Sequence, residues 1–181
     1  MRQRRPSLWG ITLKTIVAHT VTYFAVGLLA FTVFDYSARF ADPALSSLMR
    51  QTNDPLVAAG PLLQPIRGFL FGAVFYLLRN ALFRERDGWL RMWIMLVFVG
   101  ILSTFGPAPG SIEGLIYTTL PLRGQLAGLS EVLLQSPLLS ILIFVWVRSR
   151  DRQWLNWLLG ILFFIALLLP ALGLLLSQIS I

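Results

Sequence analysis

Five runs of apolar residues, separated by polar stretches, organise the chain from end to end. They cover residues 13–34, 61–83, 89–105, 126–147 and 154–176. Each run approaches or exceeds the roughly 20 residues that an α-helix needs to cross a bilayer. The pattern therefore predicts an all-α, polytopic membrane protein in which five transmembrane helices form a single integral membrane domain over residues 1–181.

The connection after the first run is long enough to hold structure of its own. Within it, Asp42-Pro43 pairs a capping carboxylate with a proline suited to the first turn of a helix. We therefore expect a short extracytoplasmic helix from Pro43 to about Arg50.

The connection between the third and fourth runs contains a helix-breaking sequence. Residues 106–111 read Gly-Pro-Ala-Pro-Gly-Ser, which cannot continue a helix. The following segment, Ile112 to Leu120, is semi-apolar and too short to cross a bilayer. We expect residues 106–125 to form an interfacial or re-entrant segment on the outer side, covering the ends of the neighbouring helices.

Composition supports a membrane protein and excludes several kinds of chemistry. Hydrophobic residues make up 56% of the chain and charged residues 13%, whereas soluble domains average about 25% charged residues. The absence of cysteine excludes thiolate catalysis and cysteine-ligated metals. A single histidine disfavours a multi-histidine metal or haem site, and the common nucleotide-binding and hydrolase motifs are absent. We expect no metal, no cofactor and no catalytic residue.

The basic residues are distributed unevenly between alternate connections. Of the 15 Lys and Arg residues, eleven fall in the N-terminal arm and in the turns near residues 79–91 and 148–152. Arg39, Arg50 and Arg123 fall on the other side. The positive-inside rule predicts a cytoplasmic N-terminus and an extracytoplasmic C-terminus, in a bacterial plasma membrane. The net charge of +7 is then explained by topology and contacts with membrane lipids, and we expect no nucleic-acid partner.

Arg67 is the fifteenth basic residue, and it lies inside the second apolar run. A charge at bilayer depth is costly and usually pairs with another charge or lines a polar cavity. At about 1.5 Å per residue, Arg67 lies roughly 18 Å from Arg79 and at a height similar to that of Glu131. We therefore expect a charge-assisted contact between Arg67 and Glu131 or Glu113.

Further polar residues are predicted at the same level. Spacings of three and four residues place Gln64 on the helix face of Arg67, and Gln135 on the face of Glu131. Glu113, with Tyr117 one turn later, belongs to the outer segment that would cover this level. These six residues form the candidate binding site, although a charge-paired strut without a ligand would explain the cluster equally well.

His19 and Tyr23 form part of a polar stripe on the first helix, four residues apart. His19 lies only about 7 Å above Lys14, so we expect no direct contact between His19 and Arg67. A structural hydrogen bond to a neighbouring helix is the main interpretation of His19, and a proton relay or a ligand to a pigment is the alternative.

Three functions remain open from the sequence, and the chain resembles no known family closely enough to decide among them. In the first, the polar cluster binds or moves a small anionic or zwitterionic molecule or a lipid headgroup. In the second, the protein is a non-catalytic accessory or assembly subunit of a larger membrane complex, or a homo-oligomer. In the third, which the sequence favours least, Glu113 or Glu131 serves an intramembrane enzyme as acid or base.

Overall fold

The computed structural model describes residues 7–47, 49–149 and 152–179, which form helices and no β-strand. Expectations that rest on Arg2, Arg4, Arg5, Arg150 and Asp151 lie outside the described residues. In chain order, the helices are α1 (Leu8–Val33), α2 (Tyr36–Ala41), α3 (Pro43–Ser46), α4 (Pro55–Ala58), α5 (Gln64–Leu77), α6 (Arg79–Phe83), α7 (Gly88–Val97), α8 (Ile112–Tyr117), α9 (Leu122–Arg148) and α10 (Gln153–Ile179).

Three of these helices, α1, α9 and α10, are long and apolar enough to cross a membrane, α10 over Gln153–Leu176. This confirms the all-α class and indicates an integral membrane protein. The second and third apolar runs form shorter helices: α5 has 14 residues and ends at Leu77, and the backbone leaves the helical conformation at Leu78 before α6 begins. Helix α7 continues as a π-helical turn, Phe98–Leu102, and the whole helical stretch ends at Ser103.

The segment that follows α1 contains more helix than the sequence predicts, in a different place. Helix α3 ends at Ser46, short of the expected Arg50. Helix α2 precedes it because Asp35 turns the chain sharply, with a φ of 42°, and its carboxylate accepts a hydrogen bond from the backbone N–H of Ala38. Asp and Asn are the non-glycine residues that best tolerate this left-handed conformation.

Gln125 fixes the segment between α7 and α9. Its side chain is 1% exposed. It accepts a hydrogen bond from the N–H of Gly110 (2.6 Å), and its amide donates to the Gly114 carbonyl (3.0 Å) and the Thr118 hydroxyl (2.9 Å). The expected short helix is thus α8, held against the start of α9 by one buried amide.

The backbones of α1 and α5, which run antiparallel, pack very closely against each other. A Cβ added at Gly68 would lie 2.6 Å from the Cα of Ile16, and one added at Gly72 would lie 2.7 Å from the Cα of Thr12. Only glycine permits backbones to approach so closely, as in small-xxx-small helix pairs. This contact fixes the register of the two helices.

Polar contacts join the ends of α1, α9 and α10 near the predicted inner boundary. The Lys14 ammonium donates to the Trp146 carbonyl (2.8 Å), the Trp146 indole donates to Asn156 (2.6 Å), and Arg148 donates to the Glu85 carbonyl (2.8 Å). A lysine beside the last carbonyls of α9 satisfies backbone acceptors that have no partner within the helix. We call this end of the bundle the basic end.

Helix α10 packs against α1 and is mostly exposed. It buries Leu155, Leu159 and Ala166. A Cβ at Gly160 or at Gly173 would meet nothing within 4 Å.

We predict that Gly68→Ala destabilises the protein by about 1–3 kcal/mol, because the added methyl group collides with the Ile16 backbone, which cannot move aside as a side chain would. Gly160→Ala is the matched control, since open space surrounds that position. Thermal unfolding in mild detergent, followed by circular dichroism, should show a lower melting temperature for the first variant only. Equal melting temperatures would contradict the packing argument.

Candidate functional site

Arg67 forms no ion pair or hydrogen bond with any residue that the structure describes. Its guanidinium Cζ lies 5.9 Å from the centroid of the Phe71 ring, and its side chain is exposed in the isolated chain. The ion pairs found among described residues join Arg50 to Asp54 and Arg91 to Asp87, in both cases on the surface. The expected contact of Arg67 with Glu131 or Glu113 is therefore wrong.

Glu131 does not reach Arg67 because it faces a different part of the bundle. Its Oε2 accepts a hydrogen bond from the Tyr36 hydroxyl, which the αL turn at Asp35 brings over the start of α9. Glu113 lies in the first turn of α8 and is half-buried, and Tyr117 is exposed. Neither of these last two residues lines a cavity described below, so Glu113 and Glu131 do not share either of these cavities.

Arg67 lines a cavity of about 240 Å³, which we call the inner cavity. Its lining residues belong to α1, to α5, to α7 with the π-helical turn, and to α9. Arg67 is the one charged residue among its described lining residues. The full lining consists of His19, Arg67, Leu70, Phe71, Leu96, Gly100, Ile101, Val132, Gln135, Ser136 and Leu139.

Several other polar groups of the inner cavity also lack protein partners among the described residues. The Gln135 amide makes no hydrogen bond and is half-buried. The Ser136 Oγ and the His19 Nδ1 are buried and have no hydrogen-bond partner, in side chains that are 5% and 2% exposed. Buried polar atoms are nearly always hydrogen-bonded in native proteins. Two buried atoms without a partner, in His19 and Ser136, therefore belong to side chains that line the same cavity as Arg67.

His19 makes one hydrogen bond, to the predicted site residue Gln64. Its Nε2–H donates to the Gln64 Oε1 (3.2 Å), and the Gln64 amide donates in turn to the Gly60 carbonyl (3.0 Å). This arrangement places the proton of the neutral imidazole on Nε2 and leaves Nδ1 as an acceptor. The expected structural hydrogen bond of His19 to a neighbouring helix is therefore present.

No direct contact between His19 and Arg67 is observed, but the two residues lie nearer in height than the depth estimate placed them, since both line the inner cavity. Both residues contact the Phe71 ring, His19 edge-on with centroids 5.0 Å apart. The α1–α5 register places Lys14 level with Leu70, nine residues before Arg79, which corresponds to about 14 Å. Lys14 and Arg79 therefore do not mark one common boundary, and the depth estimate for His19 started from the wrong level.

The π-helical turn supplies part of the wall that the sequence did not predict. Its Gly100 and Ile101 line the inner cavity, and the widened turn closes with Ser103, whose N–H and hydroxyl both bond to the Phe98 carbonyl, at 3.0 and 2.6 Å. Single π turns often occur at functional sites. An isolated glycine in an apolar run was the only signal for this feature.

A second and larger cavity, of about 680 Å³, lies toward the end of the bundle opposite the basic end; we call it the outer cavity. Tyr23, Tyr36, Arg39 and Glu131 supply much of its polar lining. Burial, followed by the hydrogen bond to Glu131, raises the pKa of the Tyr36 phenol. Tyr36 therefore remains a protonated donor to the carboxylate at neutral pH.

Since Arg67 and Glu131 are not paired, we predict that their double-mutant cycle is additive to within about 0.5 kcal/mol. Arg67→Gln and Glu131→Gln, singly and together, would be compared by unfolding in mixed micelles. The positive control is the cycle of Tyr36→Phe with Glu131→Gln, which removes an observed hydrogen bond and should show coupling. A coupling energy of several kcal/mol between Arg67 and Glu131 would restore the ion pair that the structure lacks.

Comparison of the chain with models of protein families, with curated proteins and with solved structures finds no match.

Proposed function

We propose that the protein is a membrane-embedded binding protein that holds the anionic group of a small molecule or a lipid in its inner cavity. The observation that carries this proposal is the Arg67 guanidinium, which has no partner among the described residues and lies beside unpartnered polar groups of Gln135 and Ser136. A phosphate or carboxylate would accept charge-assisted hydrogen bonds from the guanidinium in a forked geometry.

Energetics favour an anion over other ligands. An arginine at bilayer depth without a counter-charge is costly, and no carboxylate belongs to the described lining of the inner cavity. Its contact with the Phe71 ring offsets only a small part of that cost, since cation–π contacts contribute on the order of 1 kcal/mol. A bound anion would supply both the missing charge and the missing acceptors.

Access to the inner cavity supports a ligand that enters from the membrane. Helices α5 and α7 are connected through α6 and make no extensive contact with each other along their lengths. Leu70 on one wall is 57% exposed, and a Cβ at Gly100 on the other wall would meet nothing within 4 Å. A lateral opening between two helices suits the headgroup or upper chain of an anionic lipid, and a soluble anion of the same chemistry would use the same donors.

The proposal includes the finer topology. Helices α5 with α6, and α7 with the π-helical turn, would act as the second and third of five spans, with α8 on the outer side. The N-terminus would be cytoplasmic and the C-terminus extracytoplasmic, in a bacterial plasma membrane. This arrangement is supported by Arg91 and Arg148, which donate to the Ala81 and Glu85 carbonyls around the turn between α6 and α7, as expected where positively charged residues face the cytoplasm.

We expect Arg67→Gln to weaken binding of phosphatidylglycerol about tenfold or more, because it removes a charge-assisted contact worth about 1.5–3 kcal/mol. The protein in mild non-ionic detergent would be titrated with this lipid and observed by native mass spectrometry. Arg123→Gln is the matched control, since Arg123 is exposed on α9 and lines neither cavity.

A second variant keeps this test decisive if Arg67→Gln folds poorly. Gly100→Leu adds an apolar side chain at a position that lines the inner cavity and should also reduce binding, while Arg67 is retained. Inorganic phosphate, tested by thermal shift, distinguishes a soluble anion from a lipid as the source of the anionic group. Unchanged lipid and phosphate binding in both variants would overturn the proposed function.

For the topology, we expect a cysteine at Thr119 to react with an impermeant thiol reagent in intact cells, and one at Ser149 to react only after the membrane is opened. The chain has no native cysteine to interfere. Both positions lie in non-helical connections, Ser149 at the end of α9 and Thr119 between α8 and α9. The opposite labelling pattern would show that the orientation is reversed. External labelling of both cysteines would show that α9, which lies between them, does not cross the membrane.

A further inference from the structure

The outer cavity has a shape and a set of charges that the proposed function does not use. It is enclosed by the outer half of α1, by the short elements between α1 and α5, and by the start of α9. Its volume of about 680 Å³ is in the range of small-molecule binding sites, which is about 300–1,000 Å³. It lies on the far side of Tyr23 from the inner cavity: Tyr23 lines the outer cavity, and its ring lies 6.3 Å from that of His19, which lines the inner one.

Glu131 provides this cavity with a negative charge that has no cationic partner among the described residues. Its Oε2 accepts from Tyr36, whereas its Oε1 lies 4.0 Å from the place where a Gly27 Cβ would be. Gly27 also lines the cavity. The second carboxylate oxygen is therefore available to a hydrogen-bond donor or a cation in the cavity.

Arg39 provides the opposite charge on the other side of Tyr36. Its guanidinium lies 5.8 Å from the Tyr36 ring centroid and makes one hydrogen bond, from Nη2 to the Gly124 carbonyl at 3.0 Å. Its remaining N–H groups have no acceptor among the described residues. The other lining cation, Arg50, is occupied by Asp54, whose pKa is lowered by the hydrogen bond from that guanidinium.

The rest of the lining is aromatic and aliphatic. Phe40 stacks on Tyr36 with ring centroids 5.2 Å apart. Phe31 contacts the Tyr36 ring edge-on, with centroids 6.2 Å apart. Aromatic rings beside a carboxylate are a common means of recognising alkylammonium groups. Aliphatic and aromatic side chains extend the cavity away from the charges: Phe24, Leu28, Leu45, Met49 and Val57.

From this arrangement we propose that the outer cavity is a separate site for a zwitterionic amphiphile of the phosphoethanolamine type. Glu131 and the aromatic rings receive the ammonium group, Arg39 receives the phosphate, and the aliphatic lining receives the first part of an acyl chain. The proposal goes beyond the proposed function and does not depend on it, because Arg67 takes no part in this site.

The balance of charge is the reason for a zwitterion in place of an anion. With Arg50 occupied by Asp54, the charges left to a ligand are one positive and one negative. An anionic headgroup would satisfy Arg39 but leave the Glu131 carboxylate facing a like charge. A headgroup with both charges compensates both residues, and such selectivity arises from the repulsion as much as from the attraction.

The test is a competition between two lysolipids that share one acyl chain and differ in headgroup. Lysophosphatidylethanolamine and lysophosphatidylglycerol would be added in equal amounts to the full chain in non-ionic detergent, and the ratio of bound species read by native mass spectrometry. We expect the ethanolamine lipid to be favoured about tenfold, and Glu131→Gln to reduce this ratio to about one. The preference should persist in Arg67→Gln, in which the inner cavity has lost its cation.

Two further variants and a chain-free ligand complete the experiment. Gly27→Leu directs a side chain into the outer cavity without removing a polar group and should reduce binding of the ethanolamine lipid, whereas Gly160→Leu on the open face of α10 should not. Equal binding of the two lysolipids, an unchanged ratio in Glu131→Gln, or unchanged binding in Gly27→Leu would overturn the proposal. Binding of glycerophosphoethanolamine as tight as that of the lysolipid would show a soluble zwitterion as the ligand and overturn the assignment to a lipid.

Discussion

The close contact of the α1 and α5 backbones is the constraint on which the rest of the structure depends. Gly68 and Gly72 permit it, and the resulting register sets which residues of the two helices share a level. The contact places Arg67 near His19 and not near a carboxylate. It also buries Phe75 and the polar stripe of α1 in the core. A different register would move Arg67 by at least a helical turn, or about 5.4 Å, and separate it from Gln135 and Ser136.

An unpaired arginine has consequences for stability as well as for binding. Natural membrane proteins retain intramembrane charges mainly where those charges have a function, because an apolar side chain at the same depth has a lower free-energy cost of insertion. If Arg67 had only a structural role, Glu131 would be the expected partner of its charge. The Glu131 carboxylate instead accepts a hydrogen bond from Tyr36. The separation of these two opposite charges into two cavities therefore supports two ligand groups over one internal ion pair.

The sequence predicted the elements well and their spatial relations poorly. The hydrophobic runs predicted the bounds of α1, α9 and α10 to within about five residues. The Gly-Pro sequence before α8 predicted a break in the helical structure, and the structure contains that break. The expected Arg67–Glu131 pair failed because a height along a helix does not specify the direction in which a side chain points. Gln125 was also missed, since a lone glutamine near a helix start carries no signal of its three buried hydrogen bonds.

The two cavities lie in sequence along the groove between α1 and α9, and this arrangement limits what the protein can do. Successive turns of α9 line the two cavities: Gly128 and Glu131 line the outer one, and Val132 and Ser136 line the inner one. A ligand passing from one to the other would have to displace Tyr23, which lines the outer cavity and whose ring lies 6.3 Å from that of His19 in the inner one. Because the outer cavity offers a ligand one positive and one negative charge whereas the inner cavity offers one positive charge, one small ion would not be held equally well by both. The geometry therefore favours two separate binding events, or one extended amphiphile, over a continuous path for a simple ion.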